Sequence, residues 1–179
     1  MPQIKSFLKN TFVLDEYRSV LVAMQPMKHA RADHVVLQVG EKIYNFGGMA
    51  FVQGEGKTNK VESLNSCEVY NIKRDEWRFF QPMNISKCAF SATVVNNKFI
   101  YTFGGYDGQN RLDAIERYCF ANGDWLTLKM KLKFPLSNCA CFCPEPDKVV
   151  VFGGGFSSCL LYTSPSPRDV EESRMPSSA

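Results

Sequence analysis

The residues able to do chemistry in this chain are few. His29 and His34 are its two histidines, and imidazole is the usual general base and a common metal ligand. Cys139-Ala-Cys-Phe-Cys143 carries three thiols at alternate positions; on a strand, that spacing points all three sulfurs to one face. A zinc site wants a tetrahedral set, and no fourth ligand lies nearby in the sequence. The triplet is therefore read as strand packing, with no metal, no cofactor and no catalytic residue expected. No sequence context pairs His34 with a particular cysteine, so a Cys–His nucleophile has no support. Both histidines lie where a strand is entered, and His34 is matched to Ser91 of a later repeat, which suggests scaffold. Arg31 and Lys87 each follow a methionine (Met27, Met83) by four residues. They could reach a partner's carboxylate or hydrogen-bond a neighbouring loop.

What positions these groups is a repeat of about 50 residues. Its first copy reads Val35-Val36, Ile43-Tyr44-Asn45-Phe46-Gly47-Gly48, Leu64, Glu68-Val69-Tyr70, Trp77 and Met83. The second reads Val94-Val95, Phe99-Ile100-Tyr101-Thr102-Phe103-Gly104-Gly105, Leu112, Glu116-Arg117-Tyr118, Trp125 and Met130. A third begins at Val149-Val150-Val151-Phe152-Gly153-Gly154. Glycine in a strand is costly, so paired glycines at matching positions argue for a close backbone approach. Trp77 and Trp125, with Tyr70 and Tyr118, are expected to fill the wedge between neighbouring sheets. Asn96-Asn97-Lys98 and Val39-Gly40-Glu41-Lys42 read as hairpin turns. Asp15-Glu16-Tyr17-Arg18 and Gln25-Pro26-Met27 echo Asp75-Glu76-Trp77-Arg78 and Gln81-Pro82-Met83, with Tyr17 standing in for tryptophan.

These marks resemble the kelch family. The resemblance covers roughly residues 12–154 and implies an all-β fold: a kelch-type β-propeller fragment of four-stranded antiparallel blades, incomplete and not expected to close alone. The expected divisions are residues 1–27 as the end of a preceding blade, 28–83 and 84–130 as repeats, 131–156 as the first half of another, and 157–179 as a non-native tail. That last expectation rests on Cys159–Asp169 and Ser173–Ala179, which resemble translated sequencing-adaptor sequence, so residues after about Phe156 are kept out of the fold argument.

The formal net charge is +3, and the charges are scattered through turns rather than gathered into a nucleic-acid face. No run of 18 apolar residues suggests a membrane span, and the N-terminus lacks a secretory pattern. Unpaired cysteines fit a reducing, cytoplasmic setting.

Members of the resembled family are commonly protein-binding propellers, some acting as substrate adaptors and others as cytoskeletal binders. The resemblance thus implies a non-catalytic interaction scaffold with a protein partner. The alternative it leaves open is a kelch-propeller enzyme, a copper oxidase or sugar epimerase. Loops at the blade ends are the expected contact sites. One carries Tyr106, Asp107, Gln109, Asn110 and Arg111, where Asp107-Gly108 is turn chemistry first. The other is the longer connection Met49–Lys60, with Phe51, Gln53, Glu55, Lys57 and Lys60; Gly54 and Gly56 lend it mobility. Unclosed blades leave sheet edges that invite self-association. Residues 1–158 alone are therefore expected to melt without cooperativity; a sharp, reversible thermal transition at monomeric mass contradicts this.

Overall fold

The computed structural model describes residues 6–53 and 59–155. The described residues are strands and turns, and no helix among them is long and apolar enough to cross a membrane. Strands β1 (Thr11–Asp15) and β2 (Val20–Met24) form a hairpin. A four-stranded antiparallel blade follows, from β3 (Val35–Val39), β4 (Lys42–Phe46), β7 (Cys67–Asn71) and β8 (Glu76–Phe80). Between β4 and β7 the chain makes a separate hairpin, β5 (Met49–Gln53) with β6 (Asn59–Ser63). The second blade is built from β9 (Ser91–Val95), β10 (Phe99–Phe103), β11 (Leu112–Cys119) and the first part of β12 (Asp124–Glu145). The later part of β12 pairs instead with β13 (Lys148–Gly155). Two whole blades thus stand between two half-blades, an incomplete propeller.

The strands follow from local chemistry. Tyr44 and Phe46 in β4, and Phe99, Tyr101 and Phe103 in β10, take alternate positions, as a pleated, half-buried surface requires. Asn96 and Asn97 take φ of 55° and 53°, the left-handed pair a tight hairpin wants. The glycine pairs sit where blades meet. Gly48 N donates to Lys87 O at 3.0 Å, and Gly105 N to Leu136 O at 2.7 Å, each a carbonyl of the next blade. A Cβ on Gly47 would stand 2.5 Å from Lys87 O, so a side chain there would push the blades apart.

Aromatic side chains fill the wedge. Phe46, Met83, Phe90, Ile100, Tyr118 and Trp125 form one buried cluster between the whole blades. Met27, Tyr70 and Trp77 form the smaller one against the leading half-blade. Each tryptophan also donates its indole N–H to a backbone carbonyl of the preceding blade: Trp77 to Gln25 O and Trp125 to Gln81 O, both at 3.0 Å. A buried ring with its one polar atom satisfied is stable there.

Four expectations are corrected. Tyr17 does not replace a tryptophan; it lies in the β1–β2 turn and is 99% exposed. Gln25 and Gln81 receive equivalent indole bonds, so counting back from Gln25 puts Leu21 at the tryptophan position. Met130 is 64% exposed, because it follows Trp125 by five residues where Met83 follows Trp77 by six. His34 matches Phe90 rather than Ser91, since each packs on the second glycine of its repeat's pair, Gly48 or Gly105. The Met49–Lys60 connection is a paired hairpin through most of its length rather than a loop. The expected adaptor-like tail lies outside the described residues.

Candidate functional site

Arg31 and Lys87 were candidates for partner contact, and their placement corrects that. Both side chains have no solvent exposure, and each is paired with an equally buried carboxylate: Arg31 Nη2 to Glu68 Oε1 and Lys87 Nζ to Glu116 Oε2, both at 2.6 Å. Glu68 and Glu116 are the acids of the two Glu-x-Tyr strands. Glu68 also accepts the backbone N–H groups of Lys28 (2.6 Å) and His29 (3.0 Å), and Glu116 accepts that of Asn84 (2.9 Å). Arg31 further donates to Gly47 O and Ser66 O, and Lys87 donates to Thr102 Oγ1 at 2.8 Å. Each carboxylate thereby fastens the chain entering a blade to that blade's third strand. Burial pulls the Lys87 amine below its usual range, and Glu116 works against that shift. These cations are spent inside the fold.

The surface site lies elsewhere, at the blade ends. An open groove of about 820 Å³ is lined by Met49, Val61 and Ser63 from the β5–β6 hairpin, and by Tyr106, Gly108, Gln109, Asn110 and Arg111. Asp33, Cys88, Ala89, Pro135, Ser137 and Asn138 complete it. Of the expected Met49–Lys60 contact segment only Met49 lines this cleft, joined by Val61 and Ser63 from the end of β6 and by the Tyr106–Arg111 loop. The Tyr106–Arg111 loop is held in shape by its own bonds. Asp107 Oδ1 accepts the N–H groups of Gln109 (2.7 Å) and Asn110 (2.6 Å), and Tyr106 donates its hydroxyl to Gly108 O. Asp107 is accordingly a turn former, while Gln109, Asn110 and Arg111 face the cleft. Arg111 Nε is steadied by Ser137 Oγ at 2.8 Å.

Of the hairpin candidates, Phe51 stands apart from this groove and stacks on Phe7, with ring centroids 4.6 Å apart. Lys60 is exposed and paired with Glu62. Gln53 pairs with Asn59 along the backbone; Glu55 and Lys57 lie outside the described residues.

Asp33, Ala89 and Asn138 were not anticipated as groove residues. They occupy equivalent places, with φ of 50°, 52° and 56°. Ala89 N donates to Asp33 O at 3.0 Å and Asn138 N to Ala89 O at 2.7 Å, a backbone chain passing from blade to blade. Asp and Asn tolerate left-handed backbone, so two of the three carried a faint signal; alanine carried none.

No group of three or more His, Cys, Asp or Glu among the described residues is arranged to hold a metal. His29 packs edge-on against Phe79 at 4.9 Å. His34 sits by Gly48, its imidazole pKa lowered by burial and then by Arg31. The two histidines have separate surroundings. In the cysteine triplet, Cys139 is buried against Ser91 and Phe103 O, while Cys143 contacts Glu145 O.

Comparison with known proteins gives the same architecture. The kelch motif model matches residues 30–84 and 86–129, more than half of the chain. Mouse Kelch-like protein 7 is 27% identical over 136 residues, covering 74% of this chain and 21% of that protein. Rat Kelch-like protein 38 is 33% identical over 107 residues, or 58% of this chain and 17% of the relative. Human Kelch domain-containing protein 3 is 28% identical over 142 residues, 76% of this chain and 35% of the relative. The chain spans about a sixth to a third of the length of these relatives. None of these matches supports the adaptor reading of the tail.

The ion pairs make a direct prediction. Lys87→Met leaves the Glu116 carboxylate buried without its cation and should cost about 3–5 kcal/mol. Adding Glu116→Gln, which can still accept the Asn84 N–H, should recover much of that in chemical denaturation. Equal stability for the wild type and Lys87→Met contradicts the assignment.

Proposed function

The chain belongs to the kelch-repeat family, and from that premise we propose that it is a non-catalytic protein-interaction module. Its groove between the β5–β6 hairpin and the Tyr106–Arg111 loop takes an extended segment of a partner protein. One observation carries the reading: segments far apart in sequence converge on one open cleft lined by both apolar and polar side chains. Met49, Val61 and the half-exposed Tyr106 offer apolar contact, while Gln109, Asn110 and Arg111 offer donors at fixed positions. Tyrosine and arginine are the residue types that most often dominate binding energy at such surfaces. The arginine favours a segment bearing a carboxylate.

Within a longer protein, such a module serves as a substrate adaptor or a cytoskeletal binder, and its free thiols suit the reducing cytoplasm.

A displayed library of random peptides, panned on the immobilised full chain, tests the groove. Recovered peptides should carry acidic residues and lose at least about tenfold in affinity to Arg111→Glu or Tyr106→Ala, roughly the effect of one good contact. The tryptophan fluorescence of these variants should match that of the parent chain, showing that the blades stay folded. Peptides that bind both variants as well as the parent chain contradict the assignment.

A further inference from the structure

The half-blades differ from the whole blades in one linked set of positions. In the first whole blade the buried set is Arg31, Asn45 and Glu68; in the second it is Lys87, Thr102 and Glu116. Asn45 stands opposite Glu68 across β4 and β7, as Thr102 stands opposite Glu116 across β10 and β11.

The backbone carries these positions onto the half-blades. Phe152 precedes a glycine pair as Phe46 and Phe103 do, so Val151 takes the place of Asn45 and Thr102. Leu136 O accepts from Gly105 N as Lys87 O accepts from Gly48 N, so Leu136 takes the place of Arg31 and Lys87. At the other half-blade, Met27 N donates to Lys9 O as Met83 N donates to Asn65 O. Thr11–Asp15 therefore takes the place of Cys67–Asn71, and Phe12 that of Glu68.

Cation, polar partner and carboxylate have all become apolar: Leu136, Val151 and Phe12. The first two belong to a half-blade of first and second strands, the third to a half-blade of third and fourth strands. A third strand bearing glutamate against Leu136 and Val151 would bury a carboxylate with no cation. One bearing Phe12 buries apolar surface on apolar surface.

We propose that β13 of one copy of this chain pairs with β1 of a second copy, joining two half-blades into one whole blade. The register of β4 on β7 carries over directly: Val151 faces Phe12, Val150 faces Val13, and Lys148 meets the oppositely charged Asp15. The free edges of β1 and β13 among the described residues are those that a second and a third strand present to each other in the whole blades. Pairing covers Phe12, Leu14, Val150 and Phe152, all exposed in the single chain.

The described residues of each copy bring two whole and two half blades, so two copies joined at both junctions make a closed ring of six. The two junctions are related by a twofold axis along the propeller. Gly153 fits this arrangement. Its φ is +70°, yet among the described residues a Cβ there meets nothing within 4 Å, whereas the matching Gly47 and Gly104 each abut a backbone carbonyl of the following blade. In the ring, the following blade belongs to the second copy.

Sedimentation and native mass measurement of the full chain over a dilution series should give twice the chain mass. A monomer throughout overturns the proposal, and so does an open series of trimers and larger assemblies. Phe12→Glu should weaken association at least about 100-fold. Adding Leu136→Lys and Val151→Thr to Phe12→Glu rebuilds the Lys87–Thr102–Glu116 set across the junction and should restore pairing to within about tenfold. Tryptophan fluorescence follows folding in each variant. If Phe12→Glu fails to fold, recovery in the triple variant still reports the contact. A triple variant that pairs no better than Phe12→Glu overturns the proposal.

Discussion

The arrangement of the whole blades depends on two carboxylates that have no contact with water, those of Glu68 and Glu116. A buried carboxylate is tolerated only with a close cation and with hydrogen-bond donors for its remaining lone pairs. Both requirements are met by the segment that enters the blade, through its backbone N–H groups and through Arg31 or Lys87. The carboxylate therefore decides where that segment must lie. The segment in turn sets the carbonyl to which the glycine pair of the preceding repeat binds, as at Lys87 O. Blade-to-blade geometry follows from satisfying one charge per blade.

Apolar packing gives the interface its bulk, and the ion pairs give it register. Phe46 lies edge-on to Trp125 at 5.9 Å, and many neighbouring arrangements of such rings would bury similar area. The indole bonds to Gln25 O and Gln81 O remove most of that freedom. The Cys67 thiol lies inside this interface, and burial pushes its pKa up to about 12; it behaves as a small apolar side chain. The groove is a by-product of the same geometry. The chain of backbone bonds through Asp33, Ala89 and Asn138 fixes how far apart the loops of neighbouring blades stand.

Much of this was legible in the amino-acid sequence because it rests on local rules. The glycine pairs, the Tyr-to-Trp spacing and the Asn96-Asn97 turn each act over a few residues, and each marks a real feature. The ion pairs were half legible. The shared interval from Met27 to Arg31 and from Met83 to Lys87 was visible, as were the Glu-x-Tyr strands. Their meeting is set by how the blade folds, across 37 residues in the case of Arg31 and Glu68, and no local pattern announces it. The β5–β6 hairpin was obscured because Met49, Ala50, Phe51 and Val52 form an apolar run without alternation. Tyr17 misled because the leading half-blade has lost the aromatic residues that would have set its register, with Leu14 and Leu21 in their places. The groove drew on Asp33, Ala89 and Asn138 through their backbone, which side-chain type scarcely reveals.

The most direct test of the carboxylate's role is amide hydrogen exchange at Lys28, His29 and Asn84 in the full chain. These residues lie in connecting segments, where exchange would ordinarily be fast. Bonded to a buried carboxylate, their amides should exchange as slowly as those of β7 and β11. Exchange as rapid as in the exposed Tyr17 turn would contradict the account.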